Sequence, residues 1–448
     1  MNTPICDFVK KYAETNTLRL HMPGHKGEGL LGVEHLDITE IDGADTLYSA
    51  DGIIKQSQEN ASILFGSKNT YYSCEGSSLC IRAMLYLALL YAKKNSLPNK
   101  ILALRNVHKS FVSGIGLLDL DVEWYFGKNP SNYLSCSVSP EDLDAYLSES
   151  AELPVAFYVT SPDYLGNMLD ISGISKVCKK HGVLLLVDNA HGAYLKFLDA
   201  SCHPIEIGAD LCCDSAHKTL PALTGCAYLH VSSSAPSFLS ENAENALSLF
   251  ASTSPSYLLL QSLDRLNSIL DTDLFKMQLQ STANKINRLK ERLTDKGYKL
   301  VGNEKLKLTV NAKEYGFSGF ELAKILKQNE IVSEFADPDF VVLMFSYKAS
   351  DYQLNKLSEV LLSLEKRTID GKKIPAVSPC ETVCSIKDAI SAVSEPISAQ
   401  YSCGRVLATL SVSCPPAVPF IVCGERISAE TVKLFEYYGI NECRVIIE

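Results

Sequence analysis

The chain lacks the Gly-x-x-x-x-Gly-Lys-Ser/Thr phosphate loop, so a nucleotide is the weaker reading for any phosphate it binds. It lacks Cys-x-x-Cys pairs as well. Fifteen scattered cysteines, with Cys212 next to Cys213 and Cys380 four residues from Cys384, match no common zinc spacing. They read as reduced, small apolar fillers, and no metal is expected. No long uninterrupted apolar run is present either. The most apolar helix-like stretch, Leu79 to Ala92, is broken by Arg82 and too short to span a bilayer. Met1 to Asp7 shows no basic region followed by an apolar one, so the expectation is a cytoplasmic protein without a signal peptide. Basic character is missing too. A formal net charge of −10 argues against nucleic-acid and anionic-membrane partners. There are no internal repeats or low-complexity tracts.

What is present is an ordinary globular composition, 46% hydrophobic and 21% charged, over 448 residues, enough for two or three domains. Residues 1–55 read as an N-terminal arm, rich in Gly and His around His21 to Gly27 and without a sustained apolar period. From about residue 60 to 235, short apolar runs alternate with helix-like segments. The strand-like runs are Ile101–Leu104, Val155–Val159, Val183–Val187, Leu211–Cys213 and Ala227–Val231. Such continuous apolar strands indicate a parallel sheet covered on both faces. The expected divisions are a large domain over 56–285, a small α/β domain over 286–370, and a C-terminal segment over 371–448. A helical stretch from about Ser256 to Lys296 leads out of the large domain, and Lys366 to Pro379 reads as a linker.

In sheets of this kind ligands bind at the carboxyl ends of the strands. The suggestive residues stand there: Asn106-Val107-His108-Lys109, Thr160-Ser161-Pro162, Asp188 and His217-Lys218. A lysine and a carboxylate, each ending a buried strand, are what pyridoxal phosphate requires. The amine forms a Schiff base with the aldehyde, and the carboxylate keeps the ring nitrogen protonated. Gly76-Ser77-Ser78 precedes the long apolar helix and offers N–H groups, hydroxyls and a favourable dipole to a phosphate. Five of the nine histidines, His21, His25, His108, His191 and His217, fall in these Gly- or Lys-containing motifs. Those at strand ends suit ring stacking or proton delivery near neutral pH.

Taken in order, the motifs resemble the fold-type-I, pyridoxal-phosphate-dependent ornithine/lysine/arginine decarboxylases nearly end to end. The resemblance is carried by Met22-Pro23-Gly24-His25-Lys26, Asn106-Val107-His108-Lys109-Ser110, Thr160-Ser161-Pro162 and Asp188-x-Ala190-His191-Gly192. It continues through Ser215-x-His217-Lys218-Thr219-Leu220, Ser252-Thr253-Ser254-Pro255-Ser256, and a terminal Pro-Pro-x-x-Pro with Gly424-Glu425. It implies an aspartate-aminotransferase-like fold in compact form, without the extra N-terminal domain of longer members. It implies that Lys218 carries the cofactor, Asp188 pairs with its ring nitrogen, and His108 stacks on the ring. Gly76, Ser77, Ser78, Ser215 and His217 would surround the phosphate. Reprotonation after loss of carbon dioxide falls to a histidine such as His191, or to Lys218. Thr253 and Ser254 resemble a segment reaching a neighbouring subunit's phosphate, which implies a homodimer with shared sites, or a higher oligomer. Glu425 is the implied partner of a basic substrate's distal nitrogen.

Three positions depart from the family pattern: Glu75 where asparagine is frequent, Asn189 where glutamate is usual, and Cys423 where proline is common. The expected activity is decarboxylation of arginine, lysine or ornithine in polyamine formation. The alternatives are an aminotransferase or lyase of the same fold, with Arg405 or Arg426 taking an α-carboxylate, and a catalytically silent cofactor-binding paralogue.

Overall fold

The computed structural model describes all residues except 30, 128–131, 369–373, 411, 413–416 and 448. Parts of the expected 366–379 linker and Pro415-Pro416 of the terminal motif therefore lie outside the described residues. The chain divides into two compact units that interleave in sequence. The first is Met1–Leu97 with Ile171–Gln278, and the second is Pro98–Asp170 with Leu279–Glu448.

Seven strands form the α/β parts of the two units: β1 (Asn69–Ser73), β2 (Lys100–Leu104), β3 (Asp121–Tyr125), β4 (Ala156–Thr160), β5 (Leu184–Asp188), β6 (Leu211–Asp214) and β7 (Ala227–Val231). The first unit holds β1, β7, β6 and β5 in that order. Here β5 and β6 are parallel, whereas β7 runs antiparallel to both β6 and β1. The second unit holds β4, β2 and β3, with β2 parallel to both neighbours. The α/β class and mainly parallel sheet agree with the sequence pattern. β5 (Leu-Leu-Leu-Val-Asp) is buried at every position, as a strand covered on both faces must be. β1 (Asn-Thr-Tyr-Tyr-Ser) gave no apolar run. It is nevertheless buried from Thr70 onward, since Thr70 and Tyr72 satisfy their hydroxyls inside.

Crossover helices follow their amphipathic faces. Helix Ile171–His181 buries Ile171, Ile174 and Cys178 and closes with Lys179, Lys180 and His181, cations suited to the negative end of the dipole. Helix Ile53–Phe65 is started by Asp45, whose buried carboxylate accepts the N–H groups of Thr46, Asp51, Gly52, Ile54 and Lys55. The expected helical stretch near 256–296 is two helices, Tyr257–Leu270 and Asp273–Asp295.

The second unit also carries a four-stranded antiparallel sheet in the order β10-β11-β9-β8, made of β8 (Lys299–Val301), β9 (Lys307–Asn311), β10 (Phe335–Ala336) and β11 (Phe340–Met344). A two-stranded sheet follows, β12 (Ser394–Ser398) with β13 (Glu442–Ile446). Every described cysteine is free, and most are buried. No helix among the described residues is long and apolar enough to cross a membrane.

Candidate active site

Most of the suggestive residues lie in the first unit, at the carboxyl ends of β5 and β6 and beyond β1. Gly76 takes φ +70 just after β1, where nothing crowds its α-carbon. The 20-residue helix Gly76–Asn95 starts at once, so Ser77 and Ser78 occupy its first turn rather than preceding it. The positive end of the helix dipole is thus presented together with two hydroxyls, a suitable anion seat. Ser215, the residue after β6, sends its hydroxyl to Ser77 Oγ at 2.8 Å. Two serines remote in sequence are thereby brought together.

Asp188 ends β5 at 2% exposure, and its Oδ1 accepts the Ala190 N–H at 3.1 Å and the Cys213 thiol at 3.7 Å. Lys218 sits in the short helix Ala216–Thr219, its Nζ 3.3 Å from His191 Nε2. His217 turns Nδ1–H to the Cys226 carbonyl at 2.9 Å, and burial with the nearby Lys218 charge pushes its pKa below the ordinary histidine value. Thr253 and Ser254 are exposed on a loop.

Two departures from the family pattern acquire a physical setting. Glu75 is turned onto the Ser252 N–H at 2.6 Å, so its carboxylate is engaged with that loop. Asn189 is wholly buried and donates Nδ2–H to Asp214 at 2.6 Å.

His108 and Glu425 belong to the second unit. His108 caps helix Lys109–Leu118, with Nδ1 accepting the Ser110 N–H at 3.1 Å. Glu425 is buried and paired with Arg105 Nη2 at 2.7 Å, while the Val422 N–H bonds the same oxygen, Oε2, at 2.7 Å. Arg105 was missed in the sequence, although a cation directly after the apolar run Ile101–Leu104 is itself a signal. Its guanidinium lies 4.7 Å from the Trp124 ring centroid and 5.5 Å from that of Phe126, and its Nε and Nη1 are buried without a hydrogen-bond partner. Asn106 is likewise buried with both amide atoms unpartnered. Arg405 pairs with Glu395 and Arg426 with Glu381, both at partly exposed positions.

Gly27-Glu28-Gly29-Leu30-Leu31-Gly32 has the spacing Gly-x-Gly-x-x-Gly. No strand precedes it and no α-helix opens from it among the described residues, so it lacks the strand-turn-helix setting of a dinucleotide site. The amine of Lys218, the dry carboxylate of Asp188 and the hydroxyls of Ser77, Ser78 and Ser215 do fit pyridoxal phosphate as a donor set.

Comparison with known proteins follows the same line. The sequence model of the Orn/Lys/Arg decarboxylase major domain matches residues 3–307. The uncharacterized protein YaaO of Bacillus subtilis is 28% identical over 97% of this chain and 93% of its own. An arginine decarboxylase of the same organism is 27% identical over 96% and 92%. Among solved structures, the constitutive lysine decarboxylase of E. coli superposes with TM-score 0.78 at 16% identity, covering 100% of this chain and 82% of that one.

Proposed function

The chain belongs to the Orn/Lys/Arg decarboxylase family, and on that premise we propose that it removes the α-carboxylate of a basic L-amino acid as carbon dioxide. The substrate is arginine, lysine or ornithine, and the cofactor is pyridoxal phosphate on Lys218. The observation that carries this reading is the placing of Lys218 and His191 within 3.3 Å in the unit that also holds Asp188 and the Ser77–Ser215 pair.

When bound, the cofactor supplies the electron sink for the pair left by carbon dioxide. The residues do the rest. Asp188, shut away from water, holds a proton on the ring nitrogen, because a buried carboxylate favours a cation beside it. The first turn of helix Gly76–Asn95, with Ser77, Ser78 and Ser215, binds the phosphate and so fixes the ring's register. The resemblance assigns His217 to the phosphate as well, and its ring is held by Nδ1–H on the Cys226 carbonyl. His191, at hydrogen-bond distance from Lys218 Nζ, takes and returns the proton that the lysine amine loses and regains, and delivers one to the substrate Cα. The resemblance assigns His108 to the ring face.

It assigns Glu425 to the distal nitrogen of the substrate. Within its own unit Glu425 is held by Arg105 and the Val422 N–H, both on Oε2. The aminotransferase reading finds less support, because Arg405 and Arg426 are committed to Glu395 and Glu381. We place the enzyme in the cytoplasm, in polyamine formation, as a homodimer. Leu18, Leu20 and Leu31, at 77%, 81% and 83% exposure on the N-terminal arm, support self-association.

The test is carbon dioxide release from arginine, lysine and ornithine, each offered separately to cofactor-loaded protein beside a Lys218→Ala control. Release from one of them, lost in the control, is expected. Binding of the cofactor with no release from any of the three would overturn the reading.

A further inference from the structure

Behind the Asp188 turn the first unit holds a polar network whose centre is cut off from water. Asp214, the last residue of β6, His203 and His230 are each 0% exposed. Asp214 Oδ2 accepts from His203 Nε2 at 2.9 Å and from His230 Nε2 at 3.1 Å. Its Oδ1 accepts the Asn189 amide at 2.6 Å and the Cys212 thiol at 3.7 Å. Beyond His230, Nδ1 meets the Thr70 hydroxyl at 2.8 Å, which meets that of Ser67 at 2.7 Å. The Phe65 ring packs on both imidazoles, with centroids 5.3 and 4.5 Å away.

Two imidazoles and a carboxylate within 4.8 Å of one another form a donor set that a divalent cation could use. The hydrogen bonding argues against that use. His203 Nδ1 accepts the Ile205 backbone N–H as a helix cap, so its ring proton sits on Nε2 and His203 turns no lone pair to the cluster. Burial alone would raise Asp214, but the two imidazoles beside it overcome that and hold its carboxyl below the usual range. Burial keeps His230 below the ordinary histidine value. The cluster is a buried carboxylate fully supplied with donors, which is what such a charge requires.

Its Oδ1 side points to a purpose. Asn189 directly follows Asp188 and is tied to β6 twice, by its amide to Asp214 and by its backbone N–H to the Cys213 carbonyl at 3.0 Å. Its own carbonyl accepts the Gly192 N–H at 2.8 Å and shapes the turn that carries His191. A glutamate at 189 would set two buried carboxylates against each other, so asparagine here and aspartate at 214 are complementary.

We infer that Asp214 is a positioning residue: through Asn189 it fixes the Asp188–His191 turn and hence the aim of the Asp188 carboxylate. The inference rests on the reading that Asp188 faces the cofactor ring.

The experiment compares the cofactor-loaded parent with Asn189→Ala, Asn189→Asp and the exchange Asn189→Asp/Asp214→Asn. In Asn189→Ala, the cofactor Kd should rise about tenfold or more, as loss of a charge-assisted hydrogen bond implies. The pH at which the visible band of the bound cofactor titrates should move, and kcat should fall by roughly 100-fold with KM little changed. Asn189→Asp should be worse, and the exchange should recover most of the loss. Amide hydrogen exchange at Ala190 and Gly192 should speed up in Asn189→Ala even without cofactor. Parent-like exchange, affinity and titration in Asn189→Ala would sink the proposal, as would failure of the exchange to rescue Asn189→Asp. One equivalent of zinc per purified chain would also sink it, because the cluster would then be a metal centre. If the parent binds no pyridoxal phosphate, the functional reading fails, while the exchange rates of the turn still decide the clamp.

Discussion

Removing Arg105 should cost stability through the charge it leaves behind. In Arg105→Met the methionine keeps contact with Trp124 and Phe126, but Glu425 stays buried with no cation at 2.7 Å. The two side chains are 6% and 5% exposed, so water does not screen the loss. Breaking a buried pair by removing one partner costs about 3–5 kcal/mol. For a chain of 448 residues the unfolding entropy is roughly 0.9 kcal/mol per degree, which makes that a fall in Tm of about 3–5 °C. Glu425→Gln should lose a similar amount, because the guanidinium is then the stranded charge. In Arg105→Met/Glu425→Gln neither charge remains and the new amide oxygen still accepts the Val422 N–H, so most of the loss should return. Differential scanning calorimetry of the four proteins at one pH reads this directly. A single variant within about 1 °C of the parent, or a double variant no better than Arg105→Met, would refute the argument.

Other expectations test separate parts of the molecule. Burial pushes Asp337 from its ordinary 3.8 up to about 7, so the folded chain keeps a proton that the unfolded chain has lost in that interval. This group therefore favours the fold most near pH 4 and withdraws about 4 kcal/mol as pH rises to 7; Asp337→Asn should flatten the slope of Tm against pH. In Gly192→Ala the new Cβ would lie 2.0 Å from Asn189 Oδ1 and 2.8 Å from Leu195 Cδ1, so a penalty of about 1–3 kcal/mol and weakened cofactor binding are expected by calorimetry and absorbance titration. Ser77→Ala deletes the acceptor of the Ser215 hydroxyl; cofactor Kd should rise about fivefold or more while the cofactor-free Tm stays near the parent's.

The sequence was most legible where burial is uniform. β5, β6 and β7 stand where the continuous apolar runs lie, and the candidate chemistry stands at the ends of β5 and β6. β1 escaped notice because its tyrosines and threonine bury polar groups whose partners include residues far away in sequence, Asn267 and His230 among them. β3 (Asp-Val-Glu-Trp-Tyr) pairs with β2 alone and is partly exposed, so it has no apolar run either. The antiparallel sense of β7 is a matter of chain direction, on which side-chain pattern is silent. Within the candidate site, the lysine, carboxylate and serines were visible as motifs. Arg105, His203, Asp214 and His230 were not, since each draws its meaning from partners far away in sequence.

The interleaving of the two units bears on how the chain is made. Asn69 of β1 pairs with Val231 of β7, 162 residues later. At a synthesis rate of roughly 5–20 residues per second, β1 waits about 8–32 s on the ribosome for this ladder partner. During that interval the nascent chain presents an unpaired strand beside the helix Gly76–Asn95, whose buried positions include Leu79, Ile81, Met84, Leu85 and Leu87. No single cut can release either unit as a continuous fragment, because each is built from two stretches of sequence. Yield in the cell should therefore respond to chaperone supply and to translation speed across residues 98–170, the stretch that separates the halves of the first unit.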